Sequence, residues 1–381
     1  MTANGKRDSG NNGGDIRVWD GGVRLFHWLL VACVAVTIYT GFFGRRNQID
    51  FHVIAGTSIA ALIAFRLIWG GLGSTYARFS SFVCSPLATL RHARDLATGR
   101  AHHCLGHNPL GAWMILALLL VLAAICITGV IALGGVVKEG PFASFTSFAI
   151  GRDARFYHYY VAIALAVLIA LHILGALFES IRTRENLARA MVTGRKRARP
   201  DAEQAAPRTS HPVAAFITVA VLAAVAVPGV IYFSSKPALG VPTAAIDPVW
   251  AKECGSCHSI HHPAVAPAAT WKAIMAGLKD HFGENAALDA ATTEKLTAYA
   301  LANSSEKWDT RVANLMRMPA KDKPLRITEN ERWKRIHGKL PERFFKAKAV
   351  GGKLNCTNCH RDAETGIFTP RAIDIKHDEQ H

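Results

Sequence analysis

Five long apolar segments constrain what this chain can fold into more than any other feature of its sequence. Each is close to the roughly 20 residues with which a helix crosses a bilayer. They lie at about residues 25–43, 52–71, 110–132, 157–178 and 212–233. Half of the 381 residues are apolar and the mean hydropathy is +0.16, which is typical of a membrane protein. The segments therefore predict five transmembrane helices.

Basic residues between the apolar segments indicate how the chain crosses the membrane. The loops 72–109 and 179–211 are both rich in arginine, and such loops stay on the cytoplasmic side. The N-terminus is then cytoplasmic, and five crossings place residues 234–381 outside. Arg45 and Arg46, in the short loop after the first segment, argue weakly against this topology. The formal net charge of +16 does not indicate a nucleic-acid partner, because much of the excess lies in these loops.

Two Cys-x-x-Cys-His motifs occur in the part of the chain predicted to lie outside. They consist of Cys254, Cys257 and His258, and of Cys356, Cys359 and His360. A zinc ribbon places its cysteine pairs roughly 15–20 residues apart, much closer than these two pairs, and a redox dithiol does not require the following histidine. The motifs therefore predict two covalently attached c-type haems, with the cysteines forming thioether bonds to the porphyrin and each histidine as the proximal iron ligand. In bacteria such attachment takes place outside the cytoplasmic membrane, in agreement with the topology.

Four histidines lie in the apolar segments, where ionisable residues are functional candidates. His27 opens the first segment on the inner side, and His52 opens the second on the outer side. His158 and His172 both lie in the fourth segment. Their spacing of 14 residues is nearly four helical turns, so both face one side of the helix about 21 Å apart. We expect His27 to pair with His172 and His52 with His158, each pair binding one haem b between helices.

Three arginines, Arg24, Arg66 and Arg155, lie near the inferred depths of these haems. An arginine at such a depth can bind a haem propionate through two hydrogen bonds. It can equally extend toward the lipid headgroups. The sequence leaves both roles open.

Residues 15–185 resemble the bacterial cytochrome b561 family, which is similar to the cytochrome b subunits of nickel-iron hydrogenases. The resemblance rests on Val18-Trp19-Asp20, on Val23 to Trp28, on His52 with Gly56, on Gly106 to Ala112, and on the two histidines of the fourth segment. It implies a four-helix core with two b haems that exchanges electrons with membrane quinol. The sequence itself shows no quinone site.

Residues 250–372 resemble the dihaem cytochrome c family. Besides the two motifs, the match includes Trp271, Asp280 to Gly283, Arg326 to Thr328, Trp333 and His337. The resemblance implies two histidine ligands for each haem, with His281 and His337 as the distal ones, and it leaves open which serves which haem. His261 and His262 depart from the family pattern and compete as candidate ligands, as do the methionines of the domain.

These observations predict an all-α membrane protein. We expect five parts in chain order: a disordered cytoplasmic N-terminus (1–22), a four-helix haem b bundle (23–185), a cytoplasmic basic linker (186–211), a fifth, anchoring transmembrane helix (212–233), and a mostly α, loop-rich periplasmic domain with two haem c groups (234–381). The chain would lie in the bacterial inner membrane.

The predicted function is transmembrane electron transfer between the membrane quinone pool and a periplasmic redox protein, a quinol:cytochrome c-type oxidoreductase activity. The sequence leaves open whether the protein forms a homodimer. Two alternatives remain: a haem oxidoreductase acting on a small molecule such as superoxide, and a haem-based gas or redox sensor. Both need an iron with an open or displaceable coordination position.

Overall fold

The described chain is almost entirely helical. The structure, a computed structural model, describes residues 15–44, 48–102, 104–197 and 207–374. Seven α-helices lie in the described residues up to residue 234: α1 Gly21–Ile38, α2 Ile49–Leu72, α3 Pro86–Ala97, α4 Pro109–Ala132, α5 Phe148–Thr183, α6 Leu187–Thr193 and α7 Pro212–Ser234. Six shorter helices follow: α8 Pro248–Cys254, α9 Ala268–Ala276, α10 Ala290–Ala302, α11 Arg311–Met316, α12 Glu331–His337 and α13 Glu342–Lys346. The all-α fold that the sequence predicts is confirmed.

Five of these helices are long and apolar enough to cross a membrane. Their spans are Gly21–Phe43, Ile49–Leu72, Pro109–Val137, Phe148–Thr183 and Pro212–Ser234. The first and third spans end in a π-helical turn. Many of their large apolar side chains are exposed in the isolated chain, and extensive apolar surface of this kind marks contact with a membrane. Arg45 and Arg46 lie outside the described residues.

A small apolar core joins helices α1, α2, α4 and α5. The core takes buried side chains from each of them: Val34, Ile59, Ile63, Leu122 and Leu165. Side chains before α1 and α4 satisfy free backbone N–H groups, since Asp20 Oδ1 accepts from Val23 N at 2.8 Å and Asn108 Oδ1 accepts from Gly111 N at 2.7 Å. Asp20 also accepts from Trp69 Nε1 at 3.0 Å, which ties the start of α1 to the end of α2.

The segment before α1 is ordered from residue 15, so the expectation of a disordered start is wrong for residues 15–22. Strand β1, Asp15–Arg17, pairs antiparallel with strand β2, Arg195–Arg197. The second strand, like helix α6, lies in the segment 186–211 that the sequence indicated as a linker. Residues 1–14 and 198–206 lie outside the described part of the chain.

Two apolar side chains explain why residues 15–22 are ordered. Val18 and Trp19 are 2% and 5% exposed and pack with Val23, and the backbone N–H groups of both donate to Gly194 O at 2.9 and 3.1 Å. Gly194 itself adopts a left-handed φ of 79° at the end of α6, a conformation that favours glycine. Tertiary burial therefore orders a stretch whose local composition is polar.

The chain divides into two compact units, which we describe separately. The first comprises residues 1–43, 51–127 and 158–226, and the second comprises residues 44–50, 128–157 and 227–381. The second unit thus contains the whole C-terminal domain together with two membrane-adjacent segments, 44–50 and 128–157, which include end portions of three membrane-spanning helices.

Two tryptophans form the centre of the C-terminal domain. The rings of Trp250 and Trp271 meet edge to face at 5.3 Å and are 1% and 5% exposed. Each indole N–H donates to a carbonyl of one loop, Trp250 to His261 O at 3.0 Å and Trp271 to Pro263 O at 2.7 Å. These bonds fix the loop that follows the first Cys-x-x-Cys-His motif.

Candidate haem sites

The rings of His52 and His158 face each other within the four-helix bundle. Their centroids lie 6.1 Å apart with an interplanar angle of 67°. Two imidazoles that bind one iron from opposite faces place their centroids roughly 6 Å apart, because each metal–nitrogen bond is about 2 Å long. The structure thus brings together the pair that the sequence predicted, at a separation that suits one haem iron.

Both rings have a hydrogen-bond partner at Nδ1. His158 Nδ1 lies 3.0 Å from Ile125 O, and His52 Nδ1 lies 3.0 Å from Thr40 Oγ1. The Thr40 hydroxyl donates a hydrogen bond to Val36 O at 2.7 Å, so its oxygen accepts a hydrogen bond from His52 Nδ1. A histidine ligand commonly donates its second ring N–H in this way, which fixes its tautomer and orientation.

The second histidine pair of the bundle is formed by His27 on α1 and His172 on α5. The two side chains lie close enough for their charges to interact. The Nδ1 atom of His27 is buried and has no hydrogen-bond partner among the described residues. An unsatisfied buried polar atom is costly, at about 1–3 kcal/mol, and such an atom fits a site that a bound group completes.

The first Cys-x-x-Cys-His motif lies at the end of α8, and its histidine faces His281. The rings of His258 and His281 are 6.5 Å apart with an interplanar angle of 27°. His258 Nδ1 donates to Ser259 O at 2.8 Å, leaving Nε2 for iron. A cavity of about 320 Å³ adjoins His281 and is lined by Ile274, Phe282 and Leu325, among others. Its apolar walls suit a porphyrin.

The second motif has the same arrangement with His337. The rings of His337 and His360 are 6.1 Å apart with an interplanar angle of 76°. His337 Nδ1 lies 3.1 Å from Trp333 O, and the Trp333 ring stacks on the His337 ring at 4.5 Å. The structure therefore places His281 beside the first motif and His337 beside the second, whereas the sequence left this pairing open.

The two motifs are joined by direct hydrogen bonds. Ser259 N and Ser259 Oγ both donate to Asn355 Oδ1, at 3.1 and 3.2 Å, and Ser259 Oγ lies 2.7 Å from Thr357 Oγ1. His261 Nε2 lies 3.1 Å from Leu354 O. The residue after the first proximal histidine thus contacts the residues around the second motif's first cysteine.

The adjacent histidines that competed as ligands have other partners. His261 Nε2 lies 3.1 Å from Leu354 O, two residues before the second motif, and its ring lies 4.8 Å from that of His258. His262 Nδ1 accepts from Ala264 N at 3.1 Å. Burial lowers the pKa of both to about 4, so both stay neutral at ordinary pH. Burial also raises the pKa of the Cys254 and Cys356 thiols to about 11. Among the described residues, no three His, Cys, Asp or Glu side chains converge on a point that would suit a bare metal ion.

The three arginines differ in their surroundings. Arg66 is 4% exposed, donates to Ala77 O at 3.0 Å, and lies over the Phe79 ring at 4.6 Å. Arg24 donates to Val192 O at 2.6 Å, whereas Arg155 is exposed three residues before His158. Arg24 and Arg66 therefore hold backbone carbonyls, and the propionate role stays a prediction.

One buried residue near the His27 pair was given no function from the sequence. The His107 ring packs on Trp19 at 4.6 Å and on Phe82 at 5.1 Å. Burial, and then the positive charges of Arg66 and Lys196, lower the pKa of His107 to about 3. The Asn108-Pro109 helix start beside it explained its position in the chain, and no periodic signal pointed to its environment.

A membrane-spanning bundle with paired histidines, continuous with a domain in which two Cys-x-x-Cys-His motifs face two further histidines, defines a multihaem electron-transfer cytochrome of the membrane. The family comparison agrees with this class: residues 18–194 match the family model of prokaryotic cytochrome b561, and residues 250–368 match the family model of dihaem cytochrome c. These families imply haem b and haem c as its cofactors, and the residues described above fit both groups.

Several solved structures are similar to the C-terminal part. A dihaem cytochrome c (DHC) purified from Rhodobacter sphaeroides is 33% identical over 33% of this chain and 100% of its own, with a TM-score of 0.27. A second structure of a Rhodobacter sphaeroides dihaem cytochrome c is 34% identical over 34% of this chain and 99% of its own, with a TM-score of 0.28. A dihaem cytochrome c from Shewanella baltica OS155 is 32% identical over 34% of this chain and 91% of its own, with a TM-score of 0.27. No curated protein matches the chain.

Proposed function

We propose that this cytochrome transfers electrons from quinol in the bilayer to a redox protein on the outer side of the membrane, through two haem b and two haem c groups. When bound, the haems supply one-electron chemistry, and the protein sets their ligands, spacing and surroundings. The observation that carries the proposal is the placement of two histidines on one face of α5, fourteen residues apart, each near a partner on another helix. This arrangement provides two sites at different depths of one bundle.

Each residue set has one role in this proposal. His27 with His172 and His52 with His158 would hold the two b haems. The four motif cysteines would form the thioether bonds, and His258 with His281 and His360 with His337 would hold the irons of the c haems. The hydrogen-bond partners at Nδ1 orient four of these imidazoles, as the partners of histidine ligands commonly do.

The proposed orientation places the N-terminus in the cytoplasm and residues 234–381 in the periplasm of a bacterial inner membrane. Its support is the arginine content of the loops 72–109 and 179–211, which adjoin the helix ends on one side of the bundle. Covalent haem attachment outside the cytoplasm requires the same orientation.

Haem quantification by type, followed by reduction with a short-chain ubiquinol in membranes, tests this function. We expect two non-covalent haems and two covalent haems per chain, with the b haems reduced before the c haems. Carbon monoxide should leave the spectra of all reduced haems unchanged, because every proximal histidine faces a second histidine. A large change at one c haem would instead support small-molecule chemistry or sensing. Absence of reduction by ubiquinol and by a naphthoquinol would refute the proposed donor.

A further inference from the structure

The second compact unit contains the membrane-adjacent segments 44–50 and 128–157 as well as the C-terminal domain. It therefore shows which face of that domain contacts these segments. The contacts gather around the second Cys-x-x-Cys-His motif, and three independent groups of bonds make them.

Arg371 forms the first group. Its Nε lies 2.5 Å from Asp50 Oδ1 and its Nη1 lies 2.5 Å from Glu139 Oε2, so one guanidinium contacts both segments. Asp50 lies in the first turn of α2, two residues before His52. A guanidinium that bonds two carboxylates is positioned more firmly than an isolated surface ion pair.

The segment around Arg371 is itself bonded to the second motif. Arg361 N donates to Ala372 O at 2.9 Å, and Asp374 N donates to Cys359 O at 2.8 Å. His360 and Ile373 form a β-bridge between these two bonds. Arg371 therefore connects the segment that pairs with His360 to Asp50, in the first turn of α2.

Asp309 forms the second group of contacts. Its Oδ2 accepts from Lys138 Nζ at 2.8 Å and from Phe148 N at 2.7 Å. Lys138 follows the α4 span, and its side chain is 2% exposed. Phe148 is the first residue of α5, so a carboxylate of the C-terminal domain satisfies a free N–H of the helix that carries His158.

The remaining bonds complete the same surface. Leu239 N donates to Ala143 O at 2.8 Å, and Lys138 Nζ donates to Leu239 O at 2.9 Å. Thr310, next to Asp309, donates to Gly366 O at 3.1 Å, six residues after the second motif. Within the described residues, no hydrogen bond, ion pair or ring contact joins 254–258, the first motif, to the membrane-adjacent segments.

We propose that the face of the C-terminal domain formed by Leu239, Asp309 and Arg371 is its docking surface on the membrane-adjacent segments 44–50 and 128–157, so that electrons enter this domain at the second motif and leave it at the first. The inference rests on the proposed function for the direction of transfer. The docking surface itself rests only on the contacts above. The hydrogen bonds between Ser259 and Asn355 then provide the contact through which the two motifs exchange electrons.

The docking surface is tested by Arg371→Gln in the full-length holoprotein, with Arg343→Gln as the matched control. Arg343 is exposed on α13, and its substitution makes the same change of charge in the same domain. Amide exchange of residues 359–374 should become about fivefold faster in Arg371→Gln, the factor that corresponds to about 1 kcal/mol of docking free energy. Exchange of the same residues in Arg343→Gln should match the wild type. Equal exchange in the two variants would overturn the docking surface, and this measurement uses no quinol.

The order of the motifs is tested by His281→Met and His337→Met, each of which gives one c haem a methionine ligand and a distinct absorption band. After rapid mixing with a short-chain ubiquinol, the band of the His337→Met protein should bleach first, as the b haems reoxidise. The band of the His281→Met protein should bleach after a lag, and Arg371→Gln should slow the first phase about fivefold. Earlier bleaching in His281→Met overturns the order. Absence of any haem reduction would refute the quinol donor and leave the exchange result valid. If a methionine variant lacks the new band, the effect of Arg371→Gln on the first phase of haem c reduction tests the order alone. An unchanged rate would then overturn entry at the second motif.

Discussion

Replacement of Asp309 by asparagine should loosen the start of α5 more than replacement of its partner Lys138 by methionine. Asp309 is 27% exposed at its side chain, whereas Lys138 is 2% exposed. Asparagine keeps an oxygen for Phe148 N but removes the charge that balances the buried ammonium. The Lys138 ammonium would then have only neutral acceptors, Leu239 O at 2.9 Å and Thr146 O at 3.3 Å.

The magnitudes follow from this asymmetry. Removal of one partner from a fully buried ion pair costs about 3–5 kcal/mol, and the partial exposure of Asp309 with the two carbonyls reduces this to about 2 kcal/mol. In Lys138→Met, Asp309 keeps Phe148 N and gains solvation, and Asn314 Nδ2 still donates to it at 3.1 Å, so the cost is about 1 kcal/mol. The local opening constants should rise about thirtyfold and about fivefold, respectively.

Hydrogen exchange of the amides of residues 146–152, followed by mass spectrometry on the detergent-solubilised holoprotein, measures these factors directly. Asp153→Asn is the matched control, because Asp153 lies in the same helix and its ion pair with Arg152 is exposed on both sides. Exchange in this control should stay at the wild-type rate. If Lys138→Met exchanged as fast as Asp309→Asn, or if the control did so, the reasoning from burial would be wrong.

Three further outcomes are expected. His172→Ala should lose one haem b while both covalent haems remain, as measured by pyridine haemochrome spectra; retention of all four would show that the histidine pairing is incorrect. The membrane part should lose stability as the pH falls from 6.5 toward 3, by up to about 1.4 kcal/mol per unit, because unfolded His107 takes up a proton that the folded protein, with a His107 pKa of about 3, does not; His107→Phe should flatten this dependence of the thermal midpoint. His337→Met should raise the potential of one c haem in a redox titration and leave the haem of His258 nearly unchanged; equal shifts of both would argue against the assignment of His337 to the second motif.

The membrane helices and the histidine pairs of the bundle were accessible from the sequence because both depend on local regularities. Apolar length predicts a spanning helix, and the helical repeat places His158 and His172 on one face. A Cys-x-x-Cys-His motif likewise contains its three reactive groups within five residues. These signals do not require knowledge of how distant segments meet.

The distal ligands of the c haems were accessible only in part. Family resemblance pointed to His281 and His337, yet their assignment depends on how the loops between the two motifs fold back. His281 lies 23 residues after His258, whereas His337 lies 23 residues before His360. Because the two histidines lie on opposite sides of their motifs in the sequence, no single spacing rule predicts both pairs. Asp309 and Lys138 are 171 residues apart and follow no periodicity, and nothing local distinguishes them from solvated charges.

The bonds from Ser259 to Asn355 and Thr357 have a consequence for electron counting. A quinol releases two electrons, while a single haem accepts one. Because the two attachment loops are fastened to each other, both motifs lie close together in one domain, and under the proposed function this domain can hold both electrons of one quinol. The domain would then act as a two-electron reservoir between a donor that releases two electrons and an acceptor that takes one at a time.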